Sequence, residues 1–243
     1  MKLIDTHSHL YEPEFDNDRE AAVARAREAG VAALLLPAID TASDRRLFDL
    51  CRSHPEYCFP MIGLHPTSVN DNPAWREELA RVDRYLLDPP AGIRFCAIGE
   101  IGLDYAADID REAQRTWFAC QRDLAAELGL PLVVHCVRAY DDLKAMLNGF
   151  PLPVIVHGFT GSEQLASQLL GRGWYLSFGK TVERSPKTRR TLRSIPSDRL
   201  FLETDMSGEE IESVYRRAAD IRNEPAESLR DAVHTNYLNL FGL

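Results

Sequence analysis

The sequence predicts an α/β fold of the (β/α)8 TIM-type barrel class, as a single domain over residues 1–243. Three observations predict it. Short apolar runs alternate with helix-like stretches from one end of the chain to the other. The length of 243 residues is ordinary for one such barrel. Six of the apolar runs stop at a His, Glu or Asp. A parallel barrel gathers its strand C-termini on one face, so side chains far apart in sequence converge there. A doubly wound open sheet, the main rival, would place functional residues at one switch point instead of on six strands.

Residues 2–6 read as the first strand, and 17–29 as a helix stopped by Gly30. Val31 to Leu36 is an unbroken apolar run, the mark of a strand buried on both faces. A helical stretch follows at 43–53. Cys58 to Leu64 is the third strand, with Pro60 an unusual occupant because it has no ladder donor. A polar helix is expected over 74–87, then a fourth strand over Phe95 to Ile98. In the helix at 111–128, Ala113, Trp117, Cys120, Leu124 and Leu128 recur at three- and four-residue steps, which gives one apolar face. Gly129 ends it and Pro131 bars continuation. Strands five to eight are Leu132 to Val134, Pro153 to Val156, Gly173 to Phe178 and Leu200 to Leu202. Ser207 and Glu210 have capping-box spacing ahead of a helical face made of Ile211, Val214, Tyr215, Ala218 and Ile221. A last helix spans about 225–240.

Composition narrows the partners. The formal net charge of −9 argues against a broad basic face for duplex nucleic acid. It leaves room for a phosphate substrate, because bound divalent cations can supply the positive field. No apolar run reaches the roughly 18 residues of a membrane span. The N-terminus shows no secretory pattern, so a cytoplasmic location is expected. Cys51, Cys58, Cys96, Cys120 and Cys136 are odd in number and lack CxxC spacing, which reads as reduced thiols.

The donors form a pattern. His7 and His9, two residues apart at a strand end, point to the same side and can grip one ion. Glu100 follows the apolar Ala97-Ile98-Gly99, where a buried carboxylate would be costly without a cation. His135 and His157 end the fifth and sixth strands, and Asp205 ends the eighth. Topology therefore sorts His7, His9 and Asp205 to one side and His135 and His157 to the other, with Glu100 between. That suggests two divalent metal ions, with Asp205 and Glu100 as the catalytic carboxylates. Imidazole-rich ligation favours zinc, manganese or cobalt over magnesium, although zinc, manganese and magnesium all stay open. His65, ending the third strand, is assigned to substrate phosphate or to support of a ligand. His54 and His234 read as surface residues.

At these residues the chain resembles the TatD family of metal-dependent deoxyribonucleases, within the amidohydrolase-like barrels. The matching segments are Asp5-Thr6-His7-Ser8-His9, Gly63-Leu64-His65-Pro66, Gly99-Glu100-Ile101-Gly102-Leu103-Asp104-Tyr105, Leu130-Pro131 leading to His135, His157-Gly158-Phe159-Thr160-Gly161 and Leu202-Glu203-Thr204-Asp205. The closing Asn236 to Gly242 also fits. The resemblance implies a TIM-type barrel and a two-metal centre held by His7, His9, Glu100, His135, His157 and Asp205. It further implies hydrolysis of DNA, as single strands or ends, by an exonuclease or endonuclease route. The chain departs from the pattern twice. Val137 stands where family members often carry Arg, and Met206-Ser207-Gly208 replaces a longer loop after Asp205. The shortened rim leaves open a second reading, a metal-dependent esterase or phosphatase acting on a substrate such as D-aminoacyl-tRNA.

Overall fold

The computed structural model describes residues 2–68 and 75–242. The first residue of the helix expected over 74–87 lies outside them. Eight strands alternate with helices in the (β/α)8 order: β1 (Leu3–Asp5), α1 (Arg19–Glu28), β2 (Val31–Leu36), α2 (Thr41–Ser53), β3 (Cys58–Pro60), α3 (Trp75–Leu87), β4 (Ile98–Asp104) and α4 (Arg111–Leu128). These are followed by β5 (Leu132–Val137), α5 (Tyr140–Met146), β6 (Val154–Val156), α6 (Glu163–Leu170), β7 (Tyr175–Phe178), α7 (Pro186–Ser194), β8 (Leu200–Leu202), α8 (Ile211–Arg222) and α9 (Ala226–Phe241). The chain forms two compact units, one of Met1–Leu36 with Ile155–Leu243 and one of Pro37–Val154.

In the first unit, β1 pairs with β2, β6 with β7 and β7 with β8, all in parallel. A parallel bridge between Ser8 and Asp205 joins the end of β8 to the end of β1. The strands are buried on both faces, which is why they read as continuous apolar runs: β8 is Leu-Phe-Leu with no exposed position. Tyr215 of α8 reaches into this core. Its hydroxyl donates to Ile4 O at 3.0 Å and accepts from Ile4 N at 3.3 Å, tying the helix to β1. Asn236 of α9 donates to Ser197 O and Leu200 O, at 2.8 and 2.9 Å.

In the second unit β4 and β5 pair in parallel, with a register shift between Ile98 and Ile101. Two glycines make the close approach possible. A Cβ on Gly102 (φ +146) would stand 1.9 Å from His135 O, and one on Gly99 would stand 2.8 Å from Val133 Cβ. Pro60 closes β3 without loss, because its carbonyl accepts from Cys96 N at 3.0 Å and it needs no donor there. Beyond it, Ile62 bridges to Ile98, the remnant of the longer strand the sequence suggests. β4 also starts later and runs further than expected. It carries Glu100 within its length, and β5 likewise carries His135.

Helix α4 does more than cover β4. Gln114 and Gln121, one near-integral pair of turns apart, are 0% and 1% exposed. Gln121 Oε1 accepts from Leu64 N at 2.8 Å while its Nε2 donates to Leu64 O at 3.3 Å. Gln114 does the same for Asp104, at 2.7 and 2.9 Å. Arg81 of α3 adds a donor to Gly63 O at 3.3 Å and pairs with buried Asp44 at 2.6 Å. Burial still pushes the Asp44 carboxyl up to about 6, against the lowering effect of Arg81. The helix expected to start at a Ser207–Glu210 capping box starts instead at Ile211, with no side-chain cap at Glu210. Ser207 Oγ accepts from Glu209 N, so its side chain closes a local turn. No helix of the described residues is long and apolar enough to cross a membrane.

Replacing Gln121 by Leu leaves the Leu64 backbone groups buried without their partner. The expected loss is about 1–3 kcal/mol, read as a lower denaturant midpoint at unchanged m-value. An unchanged midpoint would show that the amide does not hold this segment.

Candidate metal-binding clusters

Both units carry imidazole and carboxylate groups on their strand ends. In the first unit the backbone of residues 7–9 runs between β2 and β8: Ser8 N donates to Leu35 O, and Asp205 N donates to His7 O at 2.8 Å. This places the rings of His7 and His9 on one side, with their Nε2 atoms 3.1 Å apart. Asp205 Oδ1 lies 3.9 Å from His7 Nε2 and 3.5 Å from His9 Nε2. The histidine side chains are 0% and 3% exposed and that of Asp205 is 46% exposed, so the carboxylate forms the solvent side of the group. Asp205 has a left-handed backbone (φ 53), which Asp tolerates better than most residues. His9 Nδ1 is 3.1 Å from the Tyr11 hydroxyl, a contact that sets the ring's orientation.

His157 follows β6 directly. Its ring stacks on His7 with centroids 3.9 Å apart and planes within 6°. Topology groups His157 with His135, whereas the structure sets it face to face with His7. Its Nδ1 is 3.6 Å from Glu203 Oε1. Glu203 is 1% exposed and its Oε1 accepts from Gly158 N at 2.6 Å. Burial raises the Glu203 carboxyl, but the His157 contact and the charges of His157 and His7 outweigh it and hold it below the usual range. His7, His157 and Glu203 offer ligand atoms within 4.8 Å of one another.

In the second unit Glu100 Oε1 is the hub. His65 Nε2 and His135 Nδ1 each lie 3.1 Å from it. The His65 tautomer follows from its other nitrogen: Thr67 N donates to Nδ1 at 3.1 Å, so the ring proton sits on Nε2 and faces Glu100. His135 spans two carboxylates, with its Nε2 at 3.0 Å from Asp104 Oδ2. Burial raises Asp104, yet His135 and the backbone N–H groups of Ala106 and Ala107 hold it below the usual range. His65, Glu100 and His135 also offer ligand atoms within 4.8 Å of one another.

These donors suit divalent metal ions. The 3.1 Å between His7 Nε2 and His9 Nε2 is close to the separation of two nitrogens sharing one ion at about 2.1 Å. Buried carboxylates beside imidazoles are the hard and borderline donors such ions prefer.

Every candidate ligand or substrate residue named from sequence therefore falls in one of the two groups. His7, His9, His157 and Asp205 lie together in the first, and His65, Glu100 and His135 in the second. Sequence reasoning passed over three carboxylates: Glu203, Asp104 and Asp5. Glu203 directly follows the apolar Leu200-Phe201-Leu202, so the argument used for Glu100 was available for it too. Asp5 is 2% exposed and accepts from Thr204 N at 3.1 Å, Thr204 Oγ1 at 2.6 Å and His7 N at 3.4 Å. It ties β1 to the Glu203–Asp205 segment and, among the described residues, touches no ring nitrogen itself.

Clustered imidazole and carboxylate donors on the strand ends of a (β/α)8 fold define a metal-dependent hydrolase. Comparison with known proteins agrees. Residues 4–242 match the family model described as TatD related DNase, and the chain belongs to that family. The chain is 32% identical over 231 residues to the 3′-5′ ssDNA/RNA exonuclease TatD of Erwinia tasmaniensis, covering 92% of this chain and 86% of that one. It is 30% identical over 260 residues to the metal-dependent hydrolase YjjV of Escherichia coli, covering 100% of this chain and 98% of that protein. The crystal structure of YjjV superimposes with a TM-score of 0.86 over 99% of this chain and 98% of that chain.

Desolvation pushes the Asp5 carboxyl from 3.8 up to about 7. Between those values the native state holds a proton that the unfolded chain has released, so this group's contribution to stability falls as pH rises from about 4 to about 7. Asn mimics the protonated form, since its oxygen accepts and its amide donates to Thr204 Oγ1. Denaturation of Asp5→Asn in the presence of chelator should show a flatter stability profile over that window and a gain at pH 7. An unchanged slope would mean that Asp5 does not titrate there.

Proposed function

We propose that this chain hydrolyses phosphodiester bonds of DNA, as single strands or at ends, and that residues 1–243 make up its one catalytic domain. The proposed metal ligands are His7, His9, His157 and Asp205 in the first unit and Glu100 and His135 in the second. Asp205 and Glu100 are the catalytic carboxylates, and His65 serves the substrate. The observation carrying this reading is the gathering of imidazole pairs against a buried carboxylate in both units, a donor set that ordinary ion pairing does not require. The names of the 3′-5′ ssDNA/RNA exonucleases among its relatives point to the substrate class.

These donors would hold divalent ions, which when bound would supply Lewis acidity to a phosphoryl oxygen and offset its charge. The chain's own residues do the rest. Asp205 presents a half-exposed carboxylate beside buried His7 and His9, where an incoming water can lose its proton to it. Asp5 and Thr204 hold the backbone that aims Asp205. His65 keeps a ring proton directed at Glu100 and can pass that donor to a phosphate oxygen when substrate arrives.

The test is metal analysis of the purified protein paired with turnover on single-stranded DNA, a phosphomonoester and D-aminoacyl-tRNA. Turnover of DNA that chelator abolishes is the expected result. Activity on the aminoacyl ester alone would overturn the DNA reading and leave the hydrolase intact. Glu100→Ala should lose bound metal and turnover together. Asp205→Asn should lower kcat by roughly 10²–10⁴-fold, the range for a lost general base. His65→Ala should raise KM with metal content retained, and equal metal loss would make it a ligand.

A further inference from the structure

Residues 180–193, which follow β7 and include α7, run against the charge of the whole chain. They hold six cations, Lys180, Arg184, Lys187, Arg189, Arg190 and Arg193, and one acid, Glu183, in a protein of net charge −9. Elsewhere Arg19, Arg25, Arg52, Arg122 and Arg222 each pair with a carboxylate, and among the described residues the exposed arginines without such a partner (Arg46, Arg84, Arg94, Arg111, Arg138 and Arg172) stand singly along the sequence and not in a run. Here the one acid is taken, since Glu183 pairs with Arg217 at 2.9 Å. Arg193 is spent on Ile221 O at 2.9 Å. Among the described residues, the other five cations are exposed and have no carboxylate partner.

Position gives this patch a direction. Lys180, Thr181 and Arg184 line a cavity of about 240 Å³ whose other walls include Glu203, Asp205, Ser207 and the backbone of Gly158 and Gly179. Gly179 is what lets the segment lie so close: a Cβ there would be 3.0 Å from Glu203 O. Further along, α7 buries Thr188, Thr191 and Leu192, leaving Lys187, Arg189 and Arg190 to solvent. Unpaired cations thus begin at the cavity beside Asp205 and continue along an exposed helix.

We propose that Lys180 and Arg184 form a phosphate subsite next to Asp205, and that Lys187, Arg189 and Arg190 extend it as a track for the backbone of a single-stranded nucleic acid. The inference rests on the phosphodiesterase reading above. A strand of phosphates is the polyanion that a row of unneutralised cations leading out of a phosphodiester-cleaving cavity matches. Contacts of this kind position the strand without reading its bases, so the selectivity they confer is for length over sequence. An oligonucleotide engages the track, and a small diester does not reach it.

The experiment uses the metal-loaded full chain, with Lys180→Ala/Arg184→Ala and Lys187→Glu/Arg190→Glu as variants. Substrates are a single-stranded oligodeoxynucleotide and bis(4-nitrophenyl) phosphate, each assayed across a salt series. In both variants the ratio of kcat/KM for the oligonucleotide to that for the small diester should fall at least tenfold, chiefly through KM, with metal content and Tm unchanged. The salt slope of log(1/KM) for the oligonucleotide should shrink by about 1.4 when two phosphate contacts are lost. Variants with wild-type ratios and slopes overturn the track alone, as do variants that lose both substrates in proportion. A wild-type enzyme inert on both diesters overturns the phosphodiesterase reading and the track with it.

Discussion

A carboxylate taken out of water must meet donors or a cation, and the interior of this protein is arranged around that requirement. Asp5, Glu100 and Glu203 are 2%, 3% and 1% exposed. Each is answered differently. Asp5 receives a hydroxyl and two backbone donors and is pushed toward its neutral form. Glu203 receives Gly158 N and the edge of His157 and stays ionised. Glu100 faces the ring nitrogens of His65 and His135. Identical chemistry at the start thus yields one structural tie and two carboxylates set beside imidazoles. The difference lies in what each strand end brings alongside.

Parallel strands make this possible because their ends need no turn residue and can be spent on function. The cost is that a strand end has unpaired backbone groups, and a displaced backbone would misplace the donor it carries. The second unit answers with helix α4. Gln121 occupies both backbone groups of Leu64, next to His65, and Gln114 occupies both of Asp104, which faces His135. An amide side chain is the suitable tool, since it carries a donor and an acceptor at one end and no charge to bury. The same helix whose apolar face was readable as packing surface therefore also sets the positions of two site segments.

The fold was legible because buried parallel strands leave an unmistakable signature, such as Val31 to Leu36. The donors were legible because a His or Glu ending such a run has few bland explanations. What escaped has physical reasons. Pairing around Gly99 and Gly102 carries β4 through Glu100 to Asp104, and a glycine-containing carboxylate segment looks like a loop until its neighbour is known. Gln114 and Gln121 look like solvent-facing polar residues of an amphipathic helix, and only the strand ends opposite them show otherwise. Helices α5, α6 and α7 are 7, 8 and 9 residues long, too short for a period to stand out. Glu203 is hidden in the sequence by Asp205, which two residues on accounts for the Leu-Glu-Thr-Asp segment without it.

For an acidic protein, the proposed polyanionic substrate sets up a conflict between surface and substrate. Local concentration of cations, as proposed for residues 180–190, would resolve it. Arginines paired with carboxylates contribute little net field, so much of the surface presents its excess of acids to solvent and repels phosphate. Lys180 and Arg184 beside Asp205, together with any divalent ions held by the clustered donors, would reverse the sign locally. Low-dielectric walls concentrate that local field, and repulsion elsewhere discourages unproductive docking. A net charge of −9 is then compatible with nucleic-acid chemistry. What it argues against is a basic footprint spread over a whole face, the arrangement that duplex-binding proteins use.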